Sequence, residues 1–377
     1  MKILHIIFVP RYSGAEILVR DLAKQHTAQG QQVAVASLMP AEDDFMREVE
    51  SSRKLGVRWF IPDRPLTRMS RILQLRQWIK EYHPDLVVAH SAIPALDARL
   101  AMLTLKRPPV VTVLHAVNDY DNPKLRLLEK ILQSKTSAVI SVSRTAADNY
   151  RQNVAQPKRL EVIENGVDVE RFEEAVTRRE AIRATLSIPE SSKVVIQVGR
   201  IATVKRQHLT LRTLIPLLRE QPQLQVWFIG LIEDRNYFQT LQQHVASSEV
   251  ADQLRFLGPR SDIPELVAAA DLLVMPSERE AFPINFIEGL ASGIPIIATN
   301  LAVIEFARDW EGITLLDPER FEAYHDALQV NLAEPQRYSR DVLQYSIKLT
   351  ASRYLTLFEE AIEATQSPKS SVELNKG

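Results

Sequence analysis

The chain has 377 residues, of which 45% are hydrophobic and 25% charged, and a formal net charge of −1. These values predict a soluble globular protein with room for two domains, each able to bury a core. The absence of cysteine excludes disulfides, thiolate metal sites and a cysteine nucleophile, and no apolar run approaches the roughly 18 residues that span a bilayer.

The near-zero net charge conceals a basic first half. Residues 1–168 contain 24 Lys and Arg against 18 Asp and Glu, and the remaining residues are acidic. A basic half suits an anionic partner such as a phospholipid surface or a phosphate-bearing acceptor. Charges scattered over solvated faces explain the excess equally well, so both interpretations stay open.

The first half alternates short, continuous apolar runs with amphipathic stretches. Its opening run before Pro10 favours a buried strand over a signal peptide. The predicted strands are Ile3–Val9, Val33–Leu38, Val57–Ile61, Leu86–Ala89, Val110–Leu114, Ala138–Val142 and Leu160–Ile163. The predicted helices are Ala15–Gln29, Arg68–Tyr82, Ala95–Leu105, Pro123–Lys135 and Arg144–Asn153. Strands that are hydrophobic on both faces and separated by helices predict a parallel sheet covered on both sides.

The same alternation restarts after a predicted hinge near Asn165–Phe172. The predicted strands are Val194–Val198, Gln225–Ile229, Leu254–Leu257, Leu272–Met275, Ile294–Ala298 and Ile313–Leu316. The predicted helices are Gln207–Glu220, Arg235–Ala246, Ile263–Ala270, Asn285–Ala291 and a final one over about Arg340–Ala364. We therefore expect an α/β protein with domains at 1–168 and 169–338, a C-terminal helix within 339–366 and a polar, disordered tail at 367–377.

The most informative segment is PSEREAFPINFIEGLASGIPIIA, from Pro276 to Ala298. It leaves a predicted strand, crosses a loop that carries Glu280, and enters a helix that carries Glu288. Both carboxylates border the crevice where open α/β sheets bind ligands, and the helix N-terminus there favours an anion. A nucleotide-sugar matches this arrangement, because it offers a diphosphate for the helix end and hydroxyls for the carboxylates.

Two cations follow another predicted strand. Gly199 and Arg200 come directly after Val194–Val198, and Lys205 follows five residues later. Two cations at a strand's carboxyl end can converge on one diphosphate, although lysine and arginine are also common in solvated loops. Gly14 and Gly258 lie near strand ends where a ligand can approach the backbone, but turn geometry alone explains such glycines as well.

Two histidines end neighbouring predicted strands. His115 follows Val110–Leu114, and His90 follows Leu86–Ala89. A lone histidine is usually structural, but two at equivalent strand ends are less easily dismissed. We expect a contacting role for His115, and for His90 we favour a structural role. The chain contains neither G-x-G-x-x-G nor G-x-x-x-x-G-K, which argues against NAD-linked and P-loop chemistry.

Two weaker patterns leave alternatives open. Asp119-Tyr120-Asp121 matches a short D-x-D metal motif that also arises by chance. The basic helix Arg68–Tyr82 and the lysine cluster that includes Lys124 and Lys130 could contact an anionic membrane, or could simply pack with their charges in water.

Together these residues resemble glycosyltransferase family four, the GT-B group of retaining, nucleotide-sugar-dependent enzymes. The most specific likeness is Glu280 to Pro295, which is similar to the family's E-G-F-G/P…E-A-M-A-x-G-x-P signature. Val198-Gly199-Arg200…Lys205 looks like the family's V-G-R-L…K-G element, and Asn165-Gly166-Val167-Asp168…Phe172 looks like its N-G-V-D…F link. Ser13-Gly14-Ala15-Glu16 is similar to G-G-A-E, and the likeness extends over nearly the whole chain.

The resemblance implies two tandem doubly wound, Rossmann-like domains that face each other across a cleft, an acceptor side followed by a donor side. It implies that Arg200 and Lys205 hold the donor diphosphate, with Gly14 close by. Glu288 would bind ribose hydroxyls, Glu280 would contact the transferred sugar, and His115 would lie near the sugar's reacting face. The other donor-binding residues that we predict are Phe282, Pro283, Ile284 and Gly258.

The resemblance also implies that the final helix crosses back to the first domain, and that no metal or cofactor is needed beyond the nucleotide-sugar. The chain departs from the family pattern at Ala281, Gly289, Pro283 and Gln207, and at Gly230-Leu231-Ile232, which lacks the second glycine of the usual G-x-G. These departures bear on the identity of the donor more than on activity.

We expect a glycosyltransferase whose acceptor is a saccharide or lipid-linked compound in bacterial cell-envelope polysaccharide or glycan biosynthesis. We expect a cytoplasmic location and no nucleic-acid partner, with peripheral contact to the inner face of the plasma membrane left open. Two alternatives remain from the sequence. One is a non-catalytic partner subunit that binds a nucleotide-sugar, and the other is a GT-B epimerase or phosphorylase.

Overall fold

The structure, a computed structural model, describes residues 1–105 and 108–366; the tail predicted as disordered, 367–377, lies outside the described residues. The chain divides into two compact units. Unit 1 contains Met1–Pro10, Val19–Ile163 and the final helix from Ala351 on, and unit 2 contains Arg11–Leu18 and Glu164–Thr350.

Unit 1 is built on a parallel sheet, which has seven strands within the described residues, in the order β3-β2-β1-β4-β5-β6-β7. The strands are β1 Lys2–Ile7, β2 Gln32–Ser37, β3 Arg58–Phe60, β4 Leu86–His90, β5 Val110–Leu114, β6 Ala138–Ser141 and β7 Leu160–Val162. The helices between them are α1 Gly14–Ala28, α2 Met46–Lys54, α3 Arg68–Tyr82, α4 Ala92–Ala101, α5 Pro123–Leu132 and α6 Arg144–Asn153. Strands β1, β4 and β5 are buried almost throughout, as expected for a sheet covered on both faces.

Unit 2 repeats this plan with a six-stranded parallel sheet among its described residues, in the order β10-β9-β8-β11-β12-β13. The strands are β8 Lys193–Val198, β9 Leu224–Ile229, β10 Leu254–Phe256, β11 Leu272–Met275, β12 Ile296–Thr299 and β13 Ile313–Leu316. The helices are α7 Val169–Thr177, α8 Arg179–Thr185, α9 Gln207–Glu220, α10 Arg235–Ala246, α11 Ile263–Ala269, α12 Ile284–Ala291, α13 Phe321–Ala333 and the start of α14 Ile347–Gln366. The predicted fold class is therefore confirmed.

Several helices differ from the prediction. The predicted hinge ends inside α7, because the Asp168 side chain accepts the Arg171 N–H at 3.4 Å and caps a helix there. The final helix begins at Ile347 instead of Arg340. The Arg340 guanidinium donates to the Ile294 carbonyl at 2.9 Å, which ties the preceding segment to the sheet in a non-helical conformation. Helix α4 runs over Ala92–Ala101 and so begins and ends earlier than predicted.

Candidate functional site

Two loops of unit 2 lie at the carboxyl edge of its sheet. One follows β8 and carries Gly199, Arg200 and Lys205, and the other follows β11 and carries Glu280. Strands β8 and β11 are neighbours, and the strand order runs outward from them in opposite directions. Such a switch point is where open α/β sheets bind ligands.

Hydrogen bonds tie the two loops to each other. The Asn285 side chain, at the start of α12, donates to the Val198 carbonyl at the end of β8 over 2.7 Å. The backbone N–H of Glu278 donates to the Val204 carbonyl over 2.9 Å. The loops are therefore positioned as one assembly, and Asn285 is a member of it that the sequence pattern did not single out.

Lys205 and Glu280 form an ion pair across these loops. Lys205 Nζ lies 2.5 Å from Glu280 Oε1, and both side chains are largely buried. The backbone of Lys205 is held as well, since Gln197 donates to its carbonyl at 2.8 Å and itself accepts a 2.8 Å hydrogen bond from Thr210. Two residues singled out from sequence 75 positions apart thus meet at one point.

The other predicted cation, Arg200, is held by a residue that the sequence pattern did not indicate. Its guanidinium is paired with Glu233, which follows β9, and Glu233 also lies 3.5 Å from Arg11. Gln207 donates to the Arg200 carbonyl at 2.8 Å. A departure from the family pattern at Gln207 therefore has a local role, which is to fix the loop that carries Arg200.

The segment Arg11–Leu18 belongs to unit 2 and lies beside this cluster. The Ser13 hydroxyl donates to the Glu16 carboxylate. Burial raises the pKa of Glu16, while the Ser13 hydrogen bond and the charges of Arg11 and Arg200 act in the opposite direction. A Cβ atom on Gly14 would lie 3.5 Å from Ile284 Cδ1, so Gly14 is in contact range of the start of α12.

The N-cap residue of helix α12 provides no capping side chain, although the Asn285 side chain accepts the Phe286 N–H at 3.0 Å. Pro283 occupies its N-cap position, and Ile284 is its first residue. The preceding residue, Phe282, is buried, and its carbonyl accepts a 3.2 Å hydrogen bond from Asn165. The first N–H groups of a helix have no partner within the helix and can therefore bind an anion. Glu288 lies one turn further along the helix and is partly buried.

Three glycines bring the neighbouring loops close together. Gly230 has φ +148°, and a Cβ atom on it would lie 2.1 Å from the Gly199 carbonyl oxygen. Its N–H donates to the Gly258 carbonyl at 3.0 Å. The backbone after β9 therefore packs directly against the residue before Arg200, which no larger residue at 230 would permit. Gly258 itself has φ +67° and open space around its Cα.

In unit 1, His90 ends β4 and His115 follows β5. His90 Nδ1 lies 2.9 Å from His115 Nε2. Burial lowers the pKa of His115 to about 4, and burial together with the neighbouring imidazoles lowers that of His90 well below its ordinary value. Both rings are therefore neutral at pH 7. The structure brings the two predicted histidines together. Both belong to unit 1, whereas Arg200, Lys205 and Glu280 belong to unit 2.

The residue after His90 has a strained backbone. Ser91 has φ 70° and ψ 171°, a region that is essentially restricted to glycine. Such a conformation costs roughly 1–3 kcal/mol and is typical of functional sites. Its N–H is held by the Val113 carbonyl at 2.8 Å, which fixes the chain where β4 passes into α4.

The D-x-D tripeptide has a structural explanation in the fold. Asp119 accepts the backbone N–H groups of His115 and Ala116 at 3.2 and 3.4 Å, and burial raises its pKa to about 6. The Tyr120 hydroxyl donates to the buried carboxylate of Glu129 at 2.9 Å. This arrangement uses Asp119 to cap the turn that carries His115.

Comparison with known proteins decides the family. The family described as "Glycosyltransferase Family 4" matches residues 12–171, and "Glycosyl transferases group 1" matches residues 178–347. The chain is 30% identical over 327 residues to the D-inositol 3-phosphate glycosyltransferase of Salinispora arenicola, which covers 77% of this chain and 71% of that protein. The chain belongs to the group 1 glycosyltransferases.

Other similarities agree with this group 1 glycosyltransferase assignment. The N-acetyl-alpha-D-glucosaminyl L-malate synthase of Bacillus anthracis is 25% identical over 309 residues, 78% of each chain. The Anabaena protein Alr3699/HepE, solved in complex with UDP and glucose, superposes with a TM-score of 0.78 at 20% identity, over 96% of this chain and 100% of that one. The similarity to Alr3699/HepE shows that the two proteins share a fold. The predicted family is therefore confirmed, and this group 1 glycosyltransferase uses nucleotide-sugars.

Proposed function

We propose that this enzyme transfers a sugar from a nucleoside-diphosphate sugar, with retention of anomeric configuration, to a hydroxyl of an anionic saccharide or lipid-linked acceptor in the bacterial cell envelope. The observation that carries the proposal is the Lys205–Glu280 ion pair beside Arg200 at the β8/β11 switch point. A pair of cations and a helix N-terminus suit a diphosphate, and neither is needed for simple hydrolysis of a glycosidic bond.

Cleavage of the anomeric C–O bond leaves negative charge on the diphosphate. Arg200, Lys205 and the N–H groups at the start of α12 would stabilise this leaving group. Side-chain cations then supply the charge that a metal ion supplies in other transferases, so the proposed reaction needs no metal or other cofactor. Gly14 and Gly258, near the same cluster, would allow the backbone to approach the donor.

The two glutamates would bind hydroxyls. Glu288 would bind the ribose, and Glu280 would contact the transferred sugar, as the family resemblance implies. Glu280 is also an unsuitable nucleophile, because its carboxylate is neutralised by Lys205 at 2.5 Å. This supports front-face transfer without a covalent sugar–enzyme intermediate, in which the departing phosphate helps to deprotonate the acceptor.

Phe282, Pro283 and Ile284 would place the helix start against the sugar or the phosphate. The Asn165 hydrogen bond to the Phe282 carbonyl holds this turn in position. His115 would contact the sugar near its reacting face as a neutral imidazole, because burial lowers its pKa to about 4.

Two observations support an anionic acceptor. The first 168 residues are basic, with 24 Lys and Arg against 18 Asp and Glu. The names of two relatives contain an inositol phosphate and a malate, and both compounds pair a hydroxyl with a negative charge. A saccharide carried on a lipid phosphate has the same combination.

Contact with an anionic membrane is supported most strongly by α5. Leu127 and Ile131 lie one turn apart and are 60% and 62% exposed, and Lys124, Lys130 and Lys135 nearby are exposed too. Apolar side chains flanked by lysines suit the surface of an anionic bilayer. Peripheral contact at the inner face of the plasma membrane is therefore part of the proposal. Within the described residues, no helix is both long and apolar enough to cross a membrane.

Helix α3 is a weaker candidate for this contact than its sequence suggests. It exposes Met69 and Leu73, but its arginines are engaged in holding α4. Arg71 pairs with the buried Asp97 at 3.1 Å, and Arg76 donates to the Ala101 carbonyl at 2.7 Å. These guanidiniums stabilise the packing of α3 against α4, and lipid phosphates would have to compete with that role.

The test is sugar transfer by the purified full chain. UDP-, GDP- and ADP-sugars are supplied with inositol 3-phosphate, L-malate or a lipid diphosphate-linked sugar in phosphatidylglycerol vesicles, and release of nucleoside diphosphate is measured with and without EDTA. We expect acceptor-dependent release that EDTA leaves unchanged, and an NMR spectrum of the product with the donor's anomeric configuration. Inversion of configuration, or loss of activity in EDTA, would contradict the proposed mechanism.

Membrane contact is tested separately by co-sedimentation with phosphatidylglycerol and phosphatidylcholine vesicles. The variant Lys130→Glu/Lys135→Glu should lose binding to the anionic vesicles. The control Lys54→Glu/Lys158→Glu changes the charge equally at two exposed lysines elsewhere and should bind as before. Equal binding of all three proteins would exclude α5 as the contact.

A further inference from the structure

A row of hydrogen-bonded imidazoles crosses three adjacent strands of unit 1. His115 follows β5, His90 ends β4, and His5 lies within β1. His115 Nε2 is 2.9 Å from His90 Nδ1, and His90 Nε2 is 3.0 Å from His5 Nδ1. The ring centroids are 5.2 and 5.3 Å apart, so each ring is also packed against the next.

The protons of these three rings are coupled. A neutral imidazole carries one N–H, and each N···N contact needs a donor on one side and an acceptor on the other. Burial keeps the rings neutral, since it lowers the pKa of each of the three. Only two arrangements then satisfy both hydrogen bonds. All three rings carry the proton on Nδ1, or all three carry it on Nε2.

The buried end of the row distinguishes these arrangements. His5 Nε2 is buried and has no hydrogen-bond partner within the described chain. With protons on Nε2, His5 would bury an N–H donor that has no acceptor. With protons on Nδ1, it buries only an unused lone pair. Orphaned buried N–H groups are the rarer of the two, so the Nδ1–H arrangement is favoured.

The row therefore fixes the tautomer of each ring and does not serve as a path for proton transfer. It ends at a buried nitrogen, with the His26 ring stacked 6.0 Å from His5 and the His26 Nε2 bonded at 3.0 Å to the Ala351 carbonyl. The Asp119 carboxylate does not determine which His115 ring nitrogen carries the proton, because it accepts the backbone N–H of His115.

We propose that His90 and His5 are positioning residues that hold His115 as the Nδ1–H tautomer, so that His115 presents an N–H donor to an oxygen of the bound sugar. The proposal rests on the proposed function in one respect, namely that His115 contacts the sugar. The strained turn at Ser91 fits this role, because it fixes the backbone directly after His90. Free neutral histidine prefers Nε2–H, so the proposed tautomer is one that the protein has to impose.

The primary test needs no variant. Full-length protein labelled with ¹⁵N-histidine is studied at pH 7.5 by long-range ¹H–¹⁵N correlation, and His115→Gln identifies the His115 signals. We expect a protonated Nδ1 and an unprotonated Nε2 for His115, His90 and His5. A protonated Nε2 on His115 overturns the proposal, whether or not the enzyme transfers sugar.

Variants of His90 test the coupling. His90→Phe removes the donor to His115 Nε2, so His115 should shift toward Nε2–H and transfer should fall about tenfold, as expected for one misdirected hydrogen bond. His90→Asn places an amide N–H at the position of Nδ1 and should restore both the tautomer and most of the rate. His244→Phe, at an exposed histidine of α10, is the matched control and should change neither.

The two proposals fail separately. An unchanged His115 tautomer in His90→Phe overturns the positioning role. If His90→Phe does not fold, the His115 tautomer is measured in His5→Phe and interpreted in the same way. If His115→Ala transfers sugar at the normal rate while the spectra show Nδ1–H, the contact with the sugar is overturned and the tautomer assignment stands.

Discussion

Lys205 and Glu280 neutralise each other at 2.5 Å across two loops that follow neighbouring strands. A donor diphosphate would bring two negative charges to Lys205, so binding must redistribute this pair. Because both side chains are largely buried, removing either one would leave the charge of its partner poorly solvated, so the pair also matters for folding. The main role that we expect for Lys205 and Glu280 is in binding the sugar donor.

Lys205→Ala should therefore reduce kcat/KM for transfer by about a hundredfold or more, because it removes a cation that stabilises the leaving group. Glu280→Ala should have an effect of similar size through lost contact with the sugar. Lys158→Ala, at an exposed lysine of unit 1, is the control and should transfer normally. Initial rates are compared after circular dichroism has shown that the variants are folded, and near-normal rates in either variant would refute the assignment.

Glu233→Gln should increase affinity for nucleoside diphosphate. Glu233 is paired with Arg200 and lies 3.5 Å from Arg11, so it competes with an anionic ligand for both guanidiniums. Removing its charge should tighten UDP, GDP or ADP binding by up to about fivefold, in line with the energy of an exposed ion pair. Isothermal titration calorimetry at low salt measures the change.

The control for Glu233→Gln is Glu249→Gln, which alters a carboxylate 3.9 Å from Arg219 on the surface of the same unit. Its affinity should equal that of the wild type. Weaker binding in Glu233→Gln would mean that Glu233 positions Arg200 for the diphosphate instead of competing with it.

Gly230→Ala should destabilise the protein by about 3 kcal/mol, because its Cβ would lie 2.1 Å from the Gly199 carbonyl oxygen and the backbone must move. Gly30→Ala is a matched control. Gly30 also has a positive φ, +82°, but a Cβ atom there would have no neighbour within 4 Å, so only conformational strain of about 1 kcal/mol is expected. Urea unfolding compares the two, and similar losses would show that the close approach at Gly199 is unimportant.

The alternation of strands and helices could be predicted from sequence because parallel strands buried on both faces are continuous apolar runs. Strand Ile313–Leu316 and helix Arg68–Tyr82 have the predicted bounds. Helices α7 and α8 follow each other without an intervening strand, so alternation gave no signal for them. Helix α13 was missed although its pattern is amphipathic, since Tyr324, Leu328 and Leu332 are buried at helical spacing while Glu322, Asp326 and Gln329 are exposed.

The site was predictable only where function requires a particular residue at a strand end. Lys205 and Glu280 have that property, and the structure brings them together. Glu233 and Asn285 do not, because their roles depend on which loops lie side by side in the folded sheet, and local spacing carries no information about that. The His5 end of the imidazole row was missed for the same reason, since a histidine within a strand resembles a buried structural residue.

Acid should destabilise unit 1 through its buried histidines. Burial lowers the pKa of His26 and His115 to about 4, and those of His5 and His90 lie well below 6.5. Below pH 6.5 these histidines are protonated in the unfolded chain but remain neutral in the folded protein. The free energy of unfolding therefore falls as the pH falls toward 4. Asp119 has the opposite effect on the pH dependence and offsets the contribution of about one histidine. Burial raises the pKa of Asp119 to about 6, so below that pH its carboxyl is protonated in the folded protein.

His26→Gln isolates one of these contributions. Glutamine cannot be protonated but can still donate to the Ala351 carbonyl that His26 Nε2 contacts at 3.0 Å. The slope of unfolding free energy against pH, from urea unfolding between pH 6.5 and 4.5, should fall on average by about 1 kcal/mol per pH unit relative to the wild type. His244→Gln replaces an exposed histidine and should keep the wild-type slope. Equal slopes in all three proteins would mean that His26 takes up a proton in the folded state, and that acid stability is set elsewhere.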